Sequence, residues 1–201
     1  MKRLVAILFL FISAGICRAQ SAAWSVSTGY SNFNVAHQTN GAFYSKDGAY
    51  LDGDVSWLAS RYPVPVVVGG GLSVSGFYES EDLFTPGYFF PTERLYSDLT
   101  LVALEGRVGI PIQFERGRGF FIFPRIGAGL LIDDYSIDHT YYTEDHTGAA
   151  FEIRPAIQIG YSFGPWSIGG EGSYMASWGD FGSLGHHGQE FRIGVFARVK
   201  F

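Results

Sequence analysis

The stretch that most constrains this chain is Gln189 to Phe201, Q-E-F-R-I-G-V-F-A-R-V-K-F. Phe191, Ile193, Val195, Ala197, Val199 and Phe201 fall on one side of an extended backbone. Glu190, Arg192, Gly194, Phe196, Arg198 and Lys200 fall on the other. Successive side chains leave opposite faces of a pleated strand, so alternation with period two predicts β structure. One face is apolar throughout and the other carries charge of both signs. A strand of that kind suits a wall with lipid on one side and a polar interior on the other.

The same alternation recurs upstream. It predicts strands over 23–33, 49–59, 66–78, 96–110, 120–132, 149–163 and 166–176, making eight with the last. Trp24, Val26, Thr28 and Tyr30 oppose Ser25, Ser27, Gly29 and Ser31, while Leu51, Val55 and Trp57 oppose Asp52, Asp54 and Ser56. Phe151, Ile153, Ile157, Ile159, Tyr161 and Phe163 oppose Glu152, Arg154 and Gln158. The connections alternate in kind. Those near Tyr62, Gly117 and Gly164 are short, while 34–48, 79–95, 133–148 and 177–188 read as long loops. An even strand count puts both ends of the domain beside the short turns. Trp24, Trp57, Phe120, Phe163, Trp166 and Phe201 would then ring that end, and Tyr30, Tyr78, Tyr96 and Tyr174 the other, as amphipathic rings do at membrane interfaces.

The N-terminus reads differently. Lys2 and Arg3 precede an apolar run from Leu4 to Ile12, and Cys17-Arg18-Ala19 leads to Gln20. This is the pattern of a secretory signal peptide over residues 1–19, leaving one domain over 20–201. Cys17 also permits a lipoprotein reading, although Ile16 is bulky where a small residue is expected. Cleavage after Ala19 removes the single cysteine and leaves eleven basic against nineteen acidic side chains, a net charge of −8. Packing and hydrogen bonds must then supply stability without a disulfide. An acidic chain with no basic run has no electrostatic basis for binding nucleic acid.

Alternation alone does not say which face is inside. A secreted β-sandwich or lipocalin-like barrel would bury the apolar face and wet the polar one. Two features favour the inverse. Glu105, Arg107, Arg125, Glu152, Arg154, Glu171, Glu190 and Arg192 place both signs of charge at mid-strand on the polar face, enough for an internal salt-bridge network. The other face has almost no Lys, Asp or Glu. The expected fold is all-β, an eight-stranded antiparallel up-and-down transmembrane β-barrel.

With that export signal, strand count and loop asymmetry, 23–201 resembles the small outer-membrane β-barrel family, the OmpA/OmpX-like eight-stranded proteins. The ending carries the resemblance too: Phe201 with Val199, Ala197, Val195 and Ile193 alternating behind it. In that family such an ending is the signal read by the barrel-assembly machinery, and Gly194 departs from its strict form. The resemblance implies a monomer in the outer membrane of a diderm bacterium, in contact with lipid and with no cofactor.

Three groups outside the strands bear on function. Ser183, His186, His187 and Glu190 contain the residue types of an acyl hydrolase. Lipid A deacylases of similar fold carry the catalytic serine two residues after a histidine, where this chain has Gly188 and Gln189. No enzyme is therefore expected. Asp133, Asp134, Asp138, His139, Glu144, Asp145 and His146 crowd one loop, but their spacing fits no established metal site, and a solvated acidic loop is the expectation. Phe84, Pro86, Tyr88, Phe89, Phe90 and Pro91 form an aromatic insertion that could pack over the barrel mouth or meet a surface ligand. The expected role is structural or adhesion-like, exerted through 79–95 and 133–148, with a narrow ion or solute channel as the first alternative and a lipid-modifying outer-membrane enzyme as the second.

Overall fold

The structure is a computed structural model and describes residues 22–36, 43–60, 64–83, 93–113, 118–138, 143–181 and 186–200. The segment 1–19 and Phe201 lie outside these. β1 (Ala22–Ala36), β2 (Phe43–Ser60), β3 (Val66–Leu83) and β4 (Glu93–Gly109) form successive antiparallel hairpins. A two-residue strand, β5 (Ile112–Gln113), pairs only with β6 (Arg118–Asp138) at its edge. β6 pairs with β4 on one side and β7 (Thr143–Phe163) on the other, and β8 (Trp166–Gly179) and β9 (His187–Lys200) follow. β9 then returns to β1, from Ala23 opposite Lys200 to Val35 opposite Gly188. Eight long strands therefore close into an antiparallel barrel with no free edge.

The hydropathy of this barrel is inverted relative to a soluble one. Leu51, Ile159, Ile193 and Val195 on the outside are 53 to 64 % exposed. Glu152, Glu190, Arg192 and Arg154 on the inside are at most 4 % exposed. Water would leave the outer surface unsolvated, whereas acyl chains solvate it fully. No helix among the described residues is long and apolar enough to cross a membrane, and strands do the crossing here.

Exposed aromatics gather at the two ends. Trp24, Phe120, Phe163 and Trp166 lie on the outside near the chain termini, with Phe120 and Tyr161 edge to face at 5.3 Å. Tyr30, Tyr78 and Tyr174 sit toward the other end with Phe151, Trp178 and Phe191, three further exposed rings on the same side. Phe201 and the side chain of Tyr96 fall outside the described residues.

The loops differ from expectation. β3 runs to Leu83 and β4 begins at Glu93, so both flanks of 79–95 are strand. Most of 133–148 is strand as well, since Asp133 pairs with Gly148 and Asp138 with Thr143 at the tip of the β6–β7 hairpin. Residues 84–92 and 139–142 lie outside the described residues. The physical reason is the reach of the ladder. A 21-residue strand spans about 70 Å at ~3.3 Å per residue, whereas a tilted crossing takes about 9–11 residues. Beyond the bilayer neither face meets lipid, so apolar alternation disappears although backbone pairing continues.

Val195→Arg tests the inverted hydropathy. On a water-facing strand this exposed change costs almost nothing. At the lipid face near mid-strand it is expected to remove about 2–4 kcal/mol of unfolding free energy, read by urea titration of the barrel folded into phospholipid vesicles.

Candidate functional site: the ionic interior and its two seals

The inward positions of all eight long strands build one continuous ionic network. Arg107 grips Asp52 through two bonds of 2.8 and 2.9 Å, bonds Glu105 through Nε at 2.9 Å, and reaches Asp54 at 3.5 Å. Arg125 bonds Asp54 at 2.7 Å and Glu171 at 2.8 Å. Arg154 joins Glu105, Glu152 and Glu190 at 2.7, 3.0 and 3.2 Å. Arg192 donates to Glu190 at 2.8 Å and lies over the Tyr50 ring. Arg198 donates to the Gln158 carbonyl, whose amide donates to Glu171, and stacks on Phe123. Ser25 supports Asp54, and Ser31 and Ser75 support Glu190.

All eight charged residues singled out in the sequence thus lie in one cluster. Asp52 and Asp54 belong at its centre, and they supply the Arg107 and Arg125 partners that the sequence leaves unassigned. Charge-assisted, bidentate bonds are the strong members of such a set. Guanidiniums lie flat across the lumen because small residues make room. A Cβ on Gly71 would collide with the Arg107 guanidinium, and one on Gly127 with the Glu105 carboxylate. The inward glycines therefore do more than narrow the barrel.

The network is capped at both ends by apolar layers that strand alternation did not reveal. At the loop end Phe33, Val35, Phe77, Leu99, Leu101, Leu131, Met175 and Phe181 pack together, with Phe33 5.8 Å from Phe77 and 6.0 Å from Phe181. At the terminal end Phe121, Phe123 and Phe196 form a second layer against Val67. Beyond it lies a vestibule of about 570 Å³, lined by Trp57, Val64, Pro65, Ile110, Phe121, Arg198 and Lys200 among others. The interior is filled, as expected for eight strands.

Of the candidate catalytic group, the described members Glu190 and His187 lie on opposite faces of β9. Glu190 is fully buried in the lumen, while His187 points outward and is exposed. His186 sits by the Gly179 carbonyl, 3.3 Å away, and Ser183 lies outside the described residues. The acidic group over 133–148 is split by the pleat: Asp133 faces in, whereas Asp134 and Asp145 are exposed. Of the residues expected to form an assembly signal, Ala197 faces outward and Val199 is half-buried beside Trp24 and Trp166.

No protein-family model and no curated protein matches the chain. Solved structures do. The attachment invasion locus protein Ail of Yersinia pestis aligns over 88 % of this chain and 98 % of its own, at 12 % identity and a TM-score of 0.52. The outer membrane protease OmpT of Escherichia coli aligns over 92 % of this chain and 97 % of its own, at 9 % identity and a TM-score of 0.51. The chain shares the fold of these small outer-membrane barrels.

Arg107→Met leaves Asp52 buried without its bidentate partner and Glu105 with one guanidinium fewer, while Asp54 keeps Arg125 at 2.7 Å. The expected loss is about 3–5 kcal/mol in urea unfolding, because stranding a buried charge costs more than the intact pair contributes. Arg118→Met, at an exposed position near the terminal end, is expected to stay within about 0.5 kcal/mol of the parent.

Proposed function

We propose that this protein is an outer-membrane barrel that acts through its loop end, as a scaffold or surface-interaction protein, without conducting solutes and without catalysing a reaction. The observation that carries this reading is the filled lumen. Six carboxylates and five guanidiniums (Asp52, Asp54, Glu105, Glu152, Glu171, Glu190; Arg107, Arg125, Arg154, Arg192, Arg198) bridge it, with an apolar layer on either side. A closed interior leaves the protruding hairpins and their connections as the surface that meets anything outside the cell. The separation of Glu190 from the outward His187 supports a role without hydrolysis.

In this reading residues 1–19 direct export and are removed, and the final strand with Ala197, Val199 and Phe201 delivers the chain to the assembly machinery. Both termini then face the periplasm. The partners are outer-membrane lipid and a surface ligand met through 79–95 and 133–148, and the barrel works as a monomer without nucleic acid. Ail carries attachment in its name, but at 12 % identity that likeness bears on the fold alone. The vestibule at the terminal end keeps a narrow ion path as the second reading.

Purified barrel in planar bilayers is expected to give no stepwise conductance; steady unitary steps would replace the first reading with the second. Bacteria expressing a chain lacking 84–92 are expected to keep a heat-modifiable barrel and to lose adherence to matrix-coated surfaces. Lipid A acylation is expected to be unchanged on overexpression, and an altered pattern would reinstate the enzyme.

A further inference from the structure

A second group of polar atoms converges at the loop end, separate from the ionic network. Asp133 of β6 is completely buried, and among the described residues neither of its carboxylate oxygens has a hydrogen-bond partner. A buried carboxylate without donors is costly and calls for a counter-charge. The nearest is His146 of β7, whose Nε2 stands 3.8 Å from Asp133 Oδ2, too far for a hydrogen bond. The same nitrogen is 3.4 Å from the main-chain carbonyl oxygen of Asp180, to which it donates a hydrogen bond in the Nε2–H tautomer and which it faces as a second lone pair in the Nδ1–H tautomer. These three atoms surround one point. A Cβ placed on Gly148 would lie 2.7 Å from Asp133 Oδ1, 2.8 Å from His146 Nε2, and closer still to the Asp180 oxygen.

The separations are those of ligands around a metal ion. Tetrahedral zinc with bonds of about 2.0–2.2 Å keeps its ligand atoms roughly 3.3 Å apart; the imidazole nitrogen and the Asp180 oxygen stand 3.4 Å apart, and the Asp133 carboxylate, 3.8 Å from that nitrogen through Oδ2, closes to this spacing with a small rotation. The group is also held from outside. Register puts Asp133 opposite Gly148 and Tyr135 opposite His146. The buried Tyr135 ring packs against the imidazole with centroids 5.3 Å apart and planes tilted by 33°. Asp180 is fixed between Gly179, whose amide donates to the His186 carbonyl at 3.1 Å, and Phe181, which is buried in the apolar layer.

We propose that Asp133, His146 and the Asp180 carbonyl bind one divalent cation of the zinc class, in the space that Gly148 leaves by having no side chain. The imidazole nitrogen selects a borderline metal over Ca²⁺ or Mg²⁺, which take oxygen ligands. No three metal-ligating side chains cluster among the described residues, because the third ligand here is a main-chain oxygen. Of the acidic group in 133–148, Asp133 and His146 take part among the residues whose side chains are described. Asp134 points away and accepts from Thr147 at 3.0 Å. The bound ion ties the segment after β8 to the β6–β7 hairpin.

The test uses untagged mature barrel in a non-chelating detergent, stripped with EDTA and titrated with Zn²⁺ in a calorimeter. One Zn²⁺ per barrel is expected, with an excess of Ca²⁺ failing to displace it. Asp133→Asn and His146→Gln, both verified as folded by heat-modifiable mobility, are expected to abolish that binding, whereas His187→Gln at an exposed outward position retains it. Gly148→Ala, which fills the cradle, is expected to abolish it too. Absence of binding to the parent chain, displacement by Ca²⁺, or unchanged binding in both Asp133→Asn and His146→Gln overturns the proposal.

Discussion

A guanidinium inside a lipid-embedded barrel has to find its counter-charge within the ring of strands. Arg107, Arg125, Arg154, Arg192 and Arg198 cannot all snorkel to water, so Asp52, Asp54, Glu105, Glu152, Glu171 and Glu190 must stand within reach on neighbouring strands. That requirement ties strand register to charge. A slip of one residue would turn every acid toward acyl chains and every Leu or Ile toward the lumen. The network is therefore a device for selecting one register; buried ion pairs are better attested for specificity than for net stability.

The filling comes in layers, and each layer uses a different physics. Rings of Phe33, Phe77 and Phe181 exclude water at one end, which lowers the local dielectric and strengthens the ionic bonds beneath. Phe121, Phe123 and Phe196 do the same from the other side, and Phe123 also offers its face to Arg198. Glycines at 71 and 127 let the charged side chains lie flat, so the centre of the barrel is built as much by missing side chains as by present ones.

Much of this was legible in the residues alone. The alternation of Phe191 to Val199 against Glu190 to Arg198 placed the last strand correctly, and so did the two-sided patterns of 23–33, 49–59 and 149–163. The apolar seals were harder to see, because Leu99 and Leu101 are inward yet flanked by outward Val102 and Leu104, and an apolar residue on both faces erases the period. Reading the register back from Glu105 and Arg107 places Leu99 and Leu101 on the inward face. The hairpin tips were lost for the opposite reason: past the lipid, Asp133 to Asp138 and Thr143 to Gly148 carry polar groups on both faces. The convergence of Asp133, His146 and Asp180 joins two hairpins and includes a main-chain atom, so no spacing in the sequence announces it.

The seam between β1 and β9 joins residue 23 to residue 200. Every other neighbour in the ring is a hairpin or a nearby strand, so most of the wall can form as the chain emerges, but this last junction spans nearly the whole polypeptide. Until β9 has been delivered, β1 presents a row of unpaired amides and carbonyls that neither lipid nor an incomplete sheet can satisfy. Closure therefore depends on length: without its final strand the sheet would keep two open edges, and an open edge has no stable place in the bilayer.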